Sequence, residues 1–196
     1  MMNGKLEVGE LTAKVVVLGT PGVGKAGMVK AVAESFGGGA VHSGGVGGAR
    51  VIRTEVRWPE RLADGRQLRV GVYAISGTPE YHAVGQLVLT GAEGIVFAAS
   101  LVPEEAGATR EALRAMVSDA GRLGLNLGAM PIAMQYHRKP GGGMVDPREM
   151  ERWLGVTPGA VASYVTGAEA GKDPGVAVKG VLADLARRHG QTARAA

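Results

Sequence analysis

The sequence predicts an α/β domain in which a mostly parallel sheet is flanked by helices, and three observations carry that reading. An apolar run, Val15-Val16-Val17-Leu18, feeds directly into Gly19-Thr20-Pro21-Gly22-Val23-Gly24-Lys25-Ala26, after which Met28, Val29, Val32 and Phe36 recur at helical spacing. The chain thus passes from strand through a glycine-rich loop into a helix. Short apolar runs then alternate with helical patterns over the remaining sequence, as in strands joined by crossover helices. A chain of 196 residues, 45% of them hydrophobic, suits one core and requires no second.

The elements follow in order. Gly37 to Gly48 is glycine-rich and reads as a mobile loop. In Val51 to Trp58 the residues alternate, with Ile52, Thr54, Val56 and Trp58 on one face and Arg53, Glu55 and Arg57 on the other, which predicts a half-buried strand. Ala63-Asp64-Gly65 then turns the chain into Leu68, Val70, Val72 and Ala74, so these two strands pair as an antiparallel hairpin. Gly94 to Ala99 and Pro131 to Met134 read as buried parallel strands. Pro103-Glu104-Glu105 opens a helix whose stripe is Leu113, Met116, Val117 and Ala120. Asp146-Pro147-Arg148-Glu149 supplies an N-cap, a first-position proline and a capping-box glutamate ahead of Met150, Trp153 and Leu154. The last helix presents Val178, Val181, Leu182 and Leu185 to the sheet. Residues 1–12 are expected to be a flexible N-terminus, 13–189 the domain, and 190–196 a disordered tail.

Composition narrows the function. Cysteine is absent, which removes disulfides, thiolate metal sites and cysteine nucleophiles together. Met1 to Glu10 has no apolar stretch of signal-peptide length, and no segment approaches a membrane span, so a cytoplasmic protein is expected. The net charge of +4 is concentrated in Arg50, Arg53, Arg57, Arg61, Arg66 and Arg69. Few aromatics interleave with them, so no DNA or RNA partner is expected. His42, His82, His137 and His189 lack metal-ligand spacing and read as solvated or lightly hydrogen-bonded side chains. Trp58 and Trp153 read as core or edge packing.

The loop carries the chemistry. In the strand-GxxxxGK[ST]-helix motif, glycines let backbone N–H groups curl around a polyphosphate, the lysine reaches the terminal phosphates and a Ser/Thr hydroxyl holds Mg²⁺. Lys25 is present, but Ala26 has no oxygen. The expected phosphate site is therefore Gly19, Thr20, Pro21, Gly22, Val23, Gly24, Lys25 and Ala26, without the metal ligand.

The order of loop, hairpin, glycine turn and alternating helices and strands resembles a Ras-like small GTPase. Tyr73-Ala74-Ile75-Ser76-Gly77, then Tyr81, Leu87-Val88-Leu89, Gly91 and Ala92-Glu93-Gly94-Ile95-Val96-Phe97, is similar to the second switch and fourth strand of the bacterial MglA-type (gliding-motility and polarity) subfamily. The resemblance implies a Ras-like P-loop domain: a mostly parallel six-stranded sheet with one antiparallel edge strand and helices on both faces. It also implies GTP or GDP as ligand, Gly77 at the γ-phosphate, and a protein regulator of the roadblock fold.

Departures from that pattern weaken the nucleotide machinery. Ala74 stands where the D-x-x-G aspartate would be, and Thr78 where a water-orienting glutamine would follow, with Glu80 the nearest substitute. Arg50 falls near the place of the first-switch threonine, for which Ser43 and Thr54 are the nearest hydroxyls. The base-reading N-K-x-D becomes His137-Arg138-Lys139-Pro140 after Gln135, and the later S-A-K turn becomes Thr166-Gly167-Ala168-Glu169. Charge-assisted hydrogen bonds are worth about 1.5–3 kcal/mol each, so losing the aspartate's pair weakens GTP binding roughly a hundredfold to ten-thousandfold. Gln135, His137, Arg138 and Ala168 remain as weak base contacts.

Three functions fit. The foremost is a pseudo-GTPase that binds a partner through its switch surface, with weak or absent hydrolysis and little use for Mg²⁺. The others are an active MglA-type switch completed by a roadblock-type activator, and a nucleotide binder of relaxed base specificity. For Arg50, Arg53 and Arg57 two readings stand: they blunt an exposed edge, or they receive an acidic partner.

Overall fold

The apolar run near the N-terminus becomes the centre of the sheet because each of its valines is buried on one side or the other. Val15 and Val17 enter one hydrophobic layer and Val16 the opposite one. The computed structural model describes residues 9–46, 49–76, 82–139, 143–167 and 173–195. Its elements are β1 (Glu10–Gly19), α1 (Lys25–Ser35), β2 (His42–Val46), β3 (Ala49–Arg61), β4 (Gln67–Ser76), α2 (His82–Leu89), β5 (Gly94–Ser100), α3 (Ala106–Arg122), β6 (Ile132–Arg138), α4 (Pro147–Leu154), β7 (Ala162–Gly167) and α5 (Val176–Ala195).

The strands lie in the order β2-β3-β4-β1-β5-β6-β7. From β4 to β7 neighbouring strands are parallel, whereas β3 runs against both β4 and β2. The result is a mixed α/β fold with a multi-stranded, mostly parallel sheet and helices on both faces. On one face α1 and α5 bury Met28, Val29, Val32, Val178, Val181, Leu182 and Leu185 against Val15, Val17 and Val72. On the other, α2, α3 and α4 bury Val84, Val88, Leu113, Met116, Met150 and Leu154 against Val16, Ile95 and Phe97. All seven residues of β5 are buried, as a strand covered on both faces requires. No described helix is long and apolar enough to cross a membrane.

The hairpin follows the predicted alternation. Ile52, Thr54 and Val56 are buried and Arg53, Glu55 and Arg57 exposed, with Arg53 opposite Tyr73 and Arg57 opposite Arg69. Pairing is interrupted between Arg57 and Arg61, where Pro59 has no N–H to give the ladder. Beside this irregularity Trp58 packs on Phe36 at the end of α1, ring centroids 5.9 Å apart. The cap of α4 is also as expected, with the Asp146 carboxylate accepting from the Arg148 N–H at 2.9 Å.

Other expectations are corrected. The sheet has seven strands rather than six, because His42–Val46, inside the segment read as a mobile loop, pairs with β3 from His42↔Arg53 to Val46↔Ala49. Gly44 and Gly45 have no side chains to alternate, yet their backbones bond as well as any. The reversed strand is consequently β3, second from the edge, and not the edge itself. α5 runs from Val176 to Ala195, and β1 begins at Glu10. Val117, which the spacing places on the apolar stripe of α3, turns half outward, 48% exposed. On α4 the buried positions are Met150, Glu151 and Leu154, which cluster within about 100° of helix circumference and leave Trp153 on the flank, 38% exposed.

Candidate functional site

Five parallel strands end together, and the glycine loop lies at that carboxyl rim. β1 carries the chain up to Gly19, which sits in register with Ala98 of β5. Its φ of +129° belongs to glycine, and a Cβ there would lie 1.9 Å from the Ala98 carbonyl oxygen. Val23 is fully buried and anchors the middle of the loop, while Pro21, Gly22 and Gly24 face outward. Gly24, left-handed at φ +80°, occupies the N-cap of α1 with no side chain to cap it, and its carbonyl accepts from Met28 N at 3.1 Å. Such a helix start leaves backbone N–H groups pointing out of the loop, the arrangement that favours an anion.

Two polar side chains are turned into this loop. Lys25, 6% exposed, donates from Nζ to the carbonyls of Gly19 at 2.8 Å and Thr20 at 2.6 Å. The Thr20 hydroxyl is buried with no hydrogen-bond partner among the described residues. Burial disfavours the ammonium, and the Lys25 pKa falls from 10.5 to about 8. The folded protein therefore releases this proton before the unfolded chain does, and from about pH 8 to 10.5 the unfolded state binds more protons. Lys25 accordingly contributes a rise in stability with pH across that window. Urea unfolding at intervals from pH 7.5 to about pH 10.5 should show this rise for the native chain and not for Lys25→Met; parallel profiles would refute a desolvated Lys25.

The sequence-predicted metal positions offer little. Ala26 packs partly against the core and Ala74 is fully buried. Thr54 Oγ1 donates to the Ala40 carbonyl at 3.1 Å, which occupies it structurally, and Ser43 is exposed on β2. Among the described residues no three His, Cys, Asp or Glu side chains gather as a metal set. Gly77, Thr78, Glu80, Pro140, Ala168 and Glu169 lie outside the described residues.

At the expected base-binding edge, Gln135 is 1% exposed and fully engaged. Its Nε2 donates to Thr166 Oγ1 at 3.2 Å and to the Pro174 carbonyl at 2.8 Å, and its Oε1 accepts from Ala177 N at 3.3 Å. That amide ties β6 to β7 and caps the start of α5, with no donor left for a ligand. His137 follows on the same side of β6, half-buried at the carboxyl end, while Arg138 is exposed. Lys139 is paired with Glu105.

The three hairpin arginines are divided. Arg53 and Arg57 share the exposed side of β3, where Arg57 pairs with Glu10 at 3.7 Å. Glu10 and Glu55 also hold Arg69 between them. Arg53 has no ion pair among the described residues. Arg50 lies on the other side of the strand, in register with Ser76 at the carboxyl rim. The alternation of β3 contains this split, since Arg50 falls an even number of residues from Ile52.

One buried acid escaped the sequence reading. Glu151, 2% exposed, accepts from Ser163 Oγ and, at 3.2 Å, from Gly159 N. Burial, and then the nearby Glu151 carboxylate, push the Tyr136 phenol pKa up. Its hydroxyl has no partner among the described residues. A glutamate within an eight-residue helix of mixed polarity carries no sequence signal for burial. No protein-family model matches the chain, and no curated protein matches it either.

Proposed function

We propose that the chain is a degenerate Ras-like P-loop module, a pseudo-GTPase that binds a protein partner and turns over nucleotide weakly or not at all. The observation that carries this reading is the loop from Gly19 to Ala26. It keeps the glycines, the lysine and the outward N–H groups of a phosphate cradle, yet Lys25 is spent on the Gly19 and Thr20 carbonyls and Ala26 has no hydroxyl for a metal. A terminal phosphate must displace both carbonyls to gain the lysine. Each such bond to a charged group is worth about 1.5–3 kcal/mol, so much of the gain from the new contact is offset. In phosphoryl transfer the metal and a positioned water supply much of the catalysis, and neither has a recognisable holder among the described residues.

The partner surface in this reading is the exposed side of β3. Arg53 is available there, and Arg57 needs only to leave an exposed pair at 3.7 Å, of a kind worth about 0–1 kcal/mol. An acidic protein regulator fits that charge.

The test is titration of a fluorescent GTP analogue in magnesium and again in EDTA, with ATP and GTP as competitors. Affinity is expected to change by less than about threefold on chelation, with ATP competing within about tenfold of GTP. A drop of about a hundredfold on chelation, or GTP preferred by a similar factor, would identify a working GTP switch instead.

A further inference from the structure

At the opposite rim of the sheet lies a cavity of about 500 Å³, within the size range of small-molecule sites. Phe97 of β5 and Met134 of β6 form its floor, Leu113 and Met116 of α3 one wall, and Leu154 and Val161 the other. Its placement is unambiguous. Ile132 opens β6 and Val156 lies in the connection from α4 to β7, so the cavity belongs to the amino-terminal end of these strands, whereas the glycine loop follows the carboxyl end of β1.

We propose that this cavity binds a single-chain anionic amphiphile of the fatty-acid class. The floor and walls are hydrocarbon and thioether, and water needs two to four polar partners to settle in such a space. An alkyl chain needs none. At the mouth stands Arg114, exposed and with no ion pair among the described residues, beside Ser118 one helical turn on. A guanidinium above an apolar slot matches a carboxylate at the end of an alkyl chain, because the fork of N–H donors takes two carboxylate oxygens at once.

A protein surface fits the opening less well. The floor residues are at most 2% exposed and the walls at Leu113, Met116 and Leu154 at most 9%, which leaves little apolar surface for a second protein to cover. Of the large hydrophobic residues exposed among those described, only Val117 lies at this mouth. A standard interface buries about 800 Å² on each partner, far more apolar rim than one valine supplies.

The experiment is calorimetric titration of the folded full chain with decanoate, decan-1-ol and acetate, below the micellar range. Decanoate is expected to bind one per chain, decan-1-ol more weakly, and acetate not measurably. Arg114→Glu should weaken decanoate by about tenfold and leave decan-1-ol unchanged. Met116→Trp, which fills the space, should abolish both; Val161→Phe replaces it if circular dichroism shows the first variant unfolded. No decanoate binding by the native chain would overturn the proposal, as would binding indifferent to both the charge reversal and the filling. A doubled mass in light scattering that Val117→Asp returns to the monomer would overturn it too, since a second copy would then cover the mouth.

Discussion

Gly19→Ala is expected to lower the melting temperature by about 10 °C or more, the largest effect of any single methyl group added to the glycine loop. The new Cβ would lie 1.9 Å from the Ala98 carbonyl oxygen and 2.8 Å from its carbon, both of them backbone atoms of the buried strand β5. Neither can retreat without opening the ladder between β1 and β5. The backbone adds to this, since φ of +129° is a region that side chains rarely enter. Strain of about 1–3 kcal/mol and a similar cost of overpacking together reach about 4 kcal/mol, and every 1 kcal/mol lowers the melting temperature by about 2–4 °C in a chain of this size. Gly22→Ala is the control. Its φ is +78° and nothing stands within 4 Å of its Cβ, so only the conformational cost of about 1 kcal/mol remains. Thermal melts followed by circular dichroism would compare the two, and equal losses would show that β1 and β5 are not in contact at this point.

Gln135→Leu is expected to cost about 3–5 kcal/mol, whether or not a nucleotide is present. The substitution is nearly volume-conserving but removes three hydrogen bonds at once. It leaves the Ala177 N–H, the Pro174 carbonyl and the Thr166 hydroxyl to find other partners in a buried place. Ala177 is the second residue of α5, where no intrahelical acceptor exists, so the loss falls on a helix terminus as well as on the strand pair. Urea unfolding gives the value directly. A loss below about 1 kcal/mol, together with a changed preference between GTP and ATP, would instead make Gln135 a reader of the base.

These residues show what the sequence makes legible. The passage from β1 through the glycine loop into α1 was visible because apolar run, glycines and helical period adjoin without a gap. The β3–β4 hairpin was visible through its alternation, and α4 through Asp146 and Pro147. The β2 strand was not, because a ladder made by Gly44 and Gly45 is bonded through backbone alone. Gln135 was legible as a residue at the expected base-binding edge, but its amide partners come from β7 and the approach to α5, some thirty to forty residues onward. The burial of Glu151 and the flank position of Trp153 were not legible, because an eight-residue helix shows too few turns to fix which side is buried. The cavity beside Arg114 is lined from α3, β5, β6 and the end of α4 together, an arrangement that no local pattern encodes.

The strand order also separates the time at which each part of the sheet is made from the time at which it is completed. β1 precedes both of its neighbours in the chain, and β4 and β5 come from much later. Both closures span long loops and therefore carry a larger entropic cost than the tight turn at Leu62–Arg66, where Leu62 N donates to Arg66 O and Gly65 N to Leu62 O. The β2–β3 pair, which closes at Val46↔Ala49, and the β3–β4 hairpin are the cheaper pairings of this sheet. The glycine loop waits longer, for Ala98 has to be in place before Gly19 has anything to press against.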